Sequence, residues 1–180
     1  MDAAAITQAA TAIADNRLAR TKLDTLPAEF RPQDLNDAYA VQERHNEILG
    51  ERGLGNLVGY KIGCTTPVMQ AYMNIHEPSY GEVFDSTVHH NHADLVFADF
   101  VNPGVETEIA VSLATDMPAD GGPYTRDSVR DAVGAAMISI ELVEARYRDY
   151  RELDTPTMVA DNFFNATVIL GDPVTDWHGI

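Results

Sequence analysis

Gly104-Val105-Glu106-Thr107-Glu108-Ile109-Ala110-Val111-Ser112-Leu113 alternates without a break. Val105, Thr107, Ile109, Val111 and Leu113 fall on one side of an extended chain, and Glu106, Glu108, Ala110 and Ser112 on the other. Period two is the pattern of a half-buried β-strand, because successive side chains point to opposite faces. Glu106 and Glu108 are then same-face neighbours, roughly 6.5–7 Å apart at about 3.3 Å rise per residue. Two carboxylates so placed repel, and an adjacent cation relieves the repulsion. The small residues that follow leave room for a bound ion or ligand. From these ten residues alone, two readings stand: the wet face of an edge strand, or a cation site.

The chain around the strand has 180 residues, the size of one domain, with 45% apolar and 22% charged residues. Its formal charge is −16, without a basic patch, which argues against a nucleic-acid or anionic-membrane surface. No apolar run approaches the ~18 residues of a membrane span. Met1-Asp2-Ala3-Ala4-Ala5 lacks the basic start of a secretory signal, and Cys64 stands alone; both point to the cytoplasm.

Helical spacing of Ile6, Ala9, Ala10 and Ile13 predicts an amphipathic helix over residues 3–20. A second helix runs from about Asp34, its N-cap, to Arg52, with His45 on its apolar stripe as a core histidine. Leu57 to Pro67 reads as a strand whose glycines let another backbone or a ligand come close. Lys61 lies inside that run, where an ammonium is costly unless paired. It is an edge residue or a partner for the glutamates. Pro67–Met73 makes one or two helical turns, and Ser79-Tyr80-Gly81 turns the chain into a short strand, Glu82 to Phe84. His89-His90-Asn91-His92 lacks the further ligands of a zinc motif and reads as a polar loop. Cys64 has no recognisable catalytic partner.

Thr125 caps a helix whose stripe is Val129, Ala132, Val133, Ala136 and Met137. Ile138-Ser139-Ile140-Glu141-Leu142-Val143 follows with strand character, although a continuing helix with Glu141 exposed fits the pattern equally. As a strand, it buries a single glutamate that needs a partner. Arg146, Arg148 and Arg151 form the only basic cluster and suit salt bridges. Asn165 to Leu170 is a last strand, broken by Gly171-Asp172-Pro173.

In order and spacing, these pieces resemble a known family. They are Asp37-Ala38-Tyr39-Ala40-Val41-Gln42; Gly59-Tyr60-Lys61-Ile62-Gly63 with Thr65; Gly81 with Phe84; Glu106-x-Glu108-Ile109-Ala110; Ile140-Glu141-Leu142-Val143; and Val159-Ala160-Asp161-Asn162. From about Asp34 onward the chain is similar to the 2-keto-4-pentenoate hydratase group of the fumarylacetoacetate hydrolase superfamily. The resemblance implies an α+β fold in one domain. Residues 1–55 would be an N-terminal helical portion, and residues 56–180 a mainly β, distorted barrel-like roll with packed helices. Family members continue past the position of Ile180, so the core would be C-terminally incomplete.

The resemblance also implies a divalent cation, Mg²⁺ or Mn²⁺, on Glu106, Glu108 and Glu141, and oxygen-only ligands suit hard cations. Lys61 would be the catalytic and substrate-binding lysine, with Asp161 and Asn162 as further substrate contacts. The expected activity is that of a hydro-lyase in aromatic-compound catabolism, adding water to a 2-hydroxy-2,4-dienoate, in a cytoplasmic homo-oligomer. Decarboxylation, C–C hydrolysis or a non-catalytic partner role are the alternatives. Two departures bear on that choice. Pro78-Ser79-Tyr80-Gly81 stands for Pro-Asp-Phe-Gly, so Ser79 replaces an acid, and Asp161-Asn162-Phe163-Phe164 stands for Asp-Asn-Ala-Ser, so Phe164 replaces a serine.

Overall fold

The computed structural model describes residues 1–179. Helix accounts for 40% and strand for 27% of the chain, an α+β fold whose strands lie in two open sheets rather than a closed barrel. It opens with α1 (Ala3–Ala19) and α2 (Leu35–Leu49). Asp2 and Asp34 cap them, each accepting a backbone N–H at N3, from Ala5 and Asp37. Ala9, Ala10 and Ile13 of α1 meet Val41, Ile48 and Leu49 of α2 in one apolar cluster. Helix α2 also turns polar residues inward. Gln42 Nε2 donates to the carbonyls of Tyr80 (3.0 Å) and Val159 (2.8 Å), so a single amide ties α2 to the chain on either side of the site.

β1 (Leu57–Gly63) and β2 (Ser79–Phe84) form an antiparallel pair, connected through α3 (Pro67–Met73). β2 starts three residues earlier than the turn residues suggested. Ser79, Tyr80 and Gly81 pair with Gly63, Ile62 and Lys61, and the ladder bonds outweigh the turn preference of Ser and Gly. The second sheet has the order β3-β6-β5-β4, from β3 (Val88–His90), β4 (Pro103–Leu113), β5 (Val133–Glu144) and β6 (Asn165–Leu170). His89 and His90 thus lie on a short strand parallel to β6 rather than in a loop.

Between β4 and β5, helix α4 (Arg126–Ala132) is capped by Thr125 and Ser128 in a reciprocal capping box. It ends five residues before the helix read from sequence. Val133 and Gly134 are poor helix formers, and from Val133 onward the backbone pairs with β4, from Leu113↔Val133 to Pro103↔Glu144. Ala136 and Met137 therefore belong to a strand, and Glu141 does too. α5 (Thr155–Ala160) precedes β6. Its Met158 and Val159 join Ala38, Ala145, Tyr147, Phe163 and Phe164 in a second apolar cluster.

β4 alternates as its sequence does, but its aliphatic side chains are exposed, while Glu108 and Ala110 on the acidic face are half-buried. Val105 is 68% exposed and Ile109 73%, and on β5 Ile138 is 73% exposed while Ser139 and Glu141 are buried. The side chains that leave water are those facing β1 and the chain after α5, and they happen to be polar. The aliphatic face carries no covering element among the described residues.

Gly81 shows how closely the two halves approach. It pairs with Lys61, and a Cβ built there would lie 2.6 Å from the carbonyl oxygen of Asn162. Gly81→Ala is expected to cost about 1–3 kcal/mol by overpacking, read as a lower Tm in calorimetry; an unchanged Tm would mean that β2 and residue 162 are not in contact. The aliphatic face makes a second prediction. The chain should bind a polarity-sensitive dye such as anilinonaphthalene sulfonate, and Ile109→Lys with Ile138→Lys should reduce that binding without lowering Tm.

Candidate metal and substrate site

Pairing of β4 with β5 sets Glu106 opposite Glu141, and Glu108 opposite Ser139. Glu106, Glu108 and Glu141 each offer a carboxylate oxygen, and the three lie within 4.8 Å of one another. The strand reading of residues 138–143 is what brings Glu141 into this group. Glu106 is exposed, Glu108 half-buried and Glu141 fully buried.

Lys61 reaches the cluster from β1. Its Nζ is 3.1 Å from Glu141 Oε2, an ion pair without hydrogen-bond alignment, since Oε2 has no hydrogen-bond partner. The ammonium donates to the Phe163 carbonyl oxygen at 3.3 Å and sits 5.0 Å from the centroid of the Phe163 ring, within cation–π range. Asn165 Nδ2 donates to Glu141 Oε1 at 2.8 Å. Of the two sequence readings of Lys61, the structure takes the partnered one.

Burial pushes the Glu141 carboxyl above the ordinary glutamate range, against the pull of Lys61 and Asn165, and Glu108 adds to the rise. Burial also raises Glu108, with Lys61 opposing and Glu106 adding. A divalent cation reverses both effects, because it favours the ionised carboxylates. The donor set fits one. It is all oxygen, it carries more negative than positive charge, and it includes a buried oxygen without a hydrogen bond. Cation–oxygen bonds of roughly 2.0–2.6 Å bridge the observed spacing with small rotamer adjustments.

Asp161 and Asn162 follow directly on α5. Asn162 is buried; its Oδ1 accepts from the Glu82 N–H (2.7 Å) and Asn46 Nδ2 (3.3 Å), and its Nδ2 donates to the Glu82 carbonyl (2.7 Å). Asp161 is paired with Arg146, and both are buried. Asn162 thus has its side-chain atoms committed to the protein, while Asp161 Oδ2 is buried without a hydrogen-bond partner. Between them and β6 the backbone is left-handed at three successive residues, Asn162 (φ 52°), Phe163 (φ 47°) and Phe164 (φ 64°). For residues with a Cβ this costs roughly 1–2 kcal/mol each. The turn aims the Phe163 carbonyl at Lys61.

Sequence reading missed Phe163 and Asn165. A carbonyl ligand leaves no side-chain signal. Asn165 did: it is a polar residue opening the apolar run Asn-Ala-Thr-Val-Ile-Leu. At the two positions of departure, Ser79 is buried with its hydroxyl unpartnered, and Phe164 packs on Tyr147 with ring centroids 5.9 Å apart. His92 and Asp94 make only an exposed pair at 3.1 Å. Cys64 lies in the second apolar cluster, and burial raises its thiol.

No protein-family model matches the chain. It is 36% identical over 143 residues to the 2-keto-4-pentenoate hydratase of Paraburkholderia phymatum, covering 77% of this chain and 51% of that protein. It is 32% identical over 160 residues to the 2-oxo-hept-4-ene-1,7-dioate hydratase of Escherichia coli, covering 84% of this chain and 58% of that one. In structure it matches 4-oxalocrotonate decarboxylase from Pseudomonas putida G7, solved with magnesium and adipate. The TM-score is 0.87 at 23% identity, over 97% of this chain and 65% of that one; this likeness is one of fold. The chain spans about half the length of the first of these relatives. Over the part of their length that it spans, it is a homologue of the 2-keto-4-pentenoate hydratases.

Proposed function

We propose that the chain carries the cation-binding and proton-handling part of a hydro-lyase that adds water to a 2-hydroxy-2,4-dienoate. The observation that carries this reading is the meeting of three carboxylates with one buried lysine at 3.1 Å. The names of the relatives, hydratases of 2-oxo-alkenoates, support the substrate class. Glu106, Glu108 and Glu141 hold the cation, Mg²⁺ or Mn²⁺. When bound, it supplies the positive charge that draws electron density from the substrate's 2-oxygen and anchors its carboxylate.

Loss of the 2-hydroxyl proton and gain of one at C5 moves the remaining double bond into conjugation with the 2-oxo group. Hydroxide then adds at C4 and a proton at C3, so one water is consumed and a 4-hydroxy-2-oxo acid forms. Lys61 Nζ is the one cationic donor against the carboxylates, and it offers a proton or holds developing negative charge. The Phe163 carbonyl and ring keep the ammonium in place, and Asn165 keeps Glu141 facing it. The Phe163 ring limits water beside the buried lysine.

Titration calorimetry with Mn²⁺ tests the site. One cation per chain is expected, with Glu106→Gln weakening it roughly tenfold or more through the lost ligand charge. No binding by a well-folded sample, or binding untouched by the substitution, ends the reading. Turnover followed by loss of dienoate absorbance should fall on chelation and on Glu108→Gln. Activity that survives both would mean that these carboxylates do not serve the reaction.

A further inference from the structure

Beneath the site lies a buried ionic cluster that the proposed reaction does not use. Arg146 is fully buried. Its Nη1 is 3.3 Å from Glu144 Oε2, and its Nη2 pairs with Asp161 Oδ1. Arg17 is packed close by. Burial and the Arg146 charge lower its guanidinium to about 10, while Asp161 and Glu144 oppose the shift. The neutral side chains of His45 and Tyr147 complete the surroundings; burial holds the imidazole well below and the phenol well above their usual ranges. Two arginines face two acids, so the cluster is balanced, and its charge alone does not explain its place in the fold.

Its connections do. Glu144 accepts the Val101 N–H at 2.6 Å through Oε1, two residues before β4, the strand of Glu106 and Glu108. Asp161 opens the left-handed turn, and its carbonyl accepts the Phe164 N–H at 2.9 Å. That turn presents the Phe163 carbonyl and ring to Lys61. The fork of Arg146 therefore joins the root of the carboxylate strand to the cradle of the lysine. Three successive left-handed residues with side chains relax toward ordinary backbone unless the surroundings hold them. A relaxed turn withdraws the Phe163 carbonyl from Nζ.

We propose that Arg146 is a positioning residue for Lys61: through Glu144 and through Asp161 with the 162–164 turn, it sets where the ammonium stands relative to Glu106, Glu108 and Glu141. This rests on the reading of Lys61 as the proton-handling residue of the proposed hydro-lyase. Planar, bidentate geometry suits arginine to the task, since it pairs with two acids at a fixed angle.

The chain has two lysines, Lys22 and Lys61, so ¹³Cε-lysine labelling gives two NMR signals. Lys22 is exposed and serves as the solvent reference. Lys61, over the Phe163 ring, should be shifted upfield, and Phe163→Leu should abolish that shift. In Arg146→Gln the Lys61 signal should move toward that of Lys22, while the amide spectrum stays that of a folded protein. Asp161→Asn, which keeps the side-chain shape, should do the same and decides the matter if Arg146→Gln does not fold. In both variants kcat should fall roughly 10- to 100-fold, the usual effect of a supporting residue behind a site, with KM moving less. A folded variant pair that keeps the Lys61 shift and kcat overturns the proposal. If the unsubstituted chain shows no turnover, the hydro-lyase reading fails, and the Lys61 shift alone decides whether Arg146 positions the lysine.

Discussion

A fully buried carboxylate organises this structure. Glu141 sits in the middle of β5 with no exposed surface, and removing one partner from such a group costs about 3–5 kcal/mol. Everything near it answers that demand. Lys61 comes from the other sheet, Asn165 from the neighbouring strand, and the Phe163 carbonyl holds the lysine's far side. The two-stranded and four-stranded sheets are thus joined at the site by charge as well as by packing. Glu106 and Glu108 add negative charge without a matching cation among the described residues, and burial penalises the charge of Glu108. A fold that only needed to be stable would have placed aliphatic residues here, because well-packed apolar groups usually match or exceed a buried ion pair.

This demand also explains the direction of the sheet. Alternation in residues 104–113 was legible, and so were the strand, the cap of α2 and the apolar stripes of α1 and α2. Which face turned inward was not. Hydrophobicity assigns the aliphatic face to the core, but alternation is symmetric and records only that two faces differ. Glu141 is buried and Glu108 half-buried because Lys61, Phe163 and Asn165, far away in sequence, lie on that side of the sheet. Helix 125–137 failed for a related reason: pairing of Val133–Glu144 along β4 overrode a locally helical apolar spacing.

Site residues divide along the same line. Glu141 was legible as a lone acid in an apolar run, and Lys61 as a costly ammonium in a strand, because burial of charge against expectation is visible in sequence. Asp161 and Asn162 were legible as important from their motif. Their motif says that polar groups are needed there, but not whether they face a ligand or the backbone of β2 and Arg146. The Phe163 carbonyl had no side-chain signal at all, since it depends on positive φ at three residues that are not glycine.

Lys61 and a cation need not compete for Glu141. An ionised carboxylate has about four lone-pair positions, two on each oxygen. Asn165 occupies one on Oε1, and Lys61 approaches Oε2 off the hydrogen-bond direction. That leaves further positions for a cation, and one oxygen of each of Glu106 and Glu108 lies within 4.8 Å. Charge argues the same way. Three carboxylates against one ammonium leave a net −2, and a divalent cation brings the group to zero with Lys61 still protonated. A lysine that left on metal binding would restore a net −1 in a buried place and give up its bond to the Phe163 carbonyl. An arrangement that keeps both would therefore be the neutral one, and on the proposed reading it would set an ammonium beside the cation.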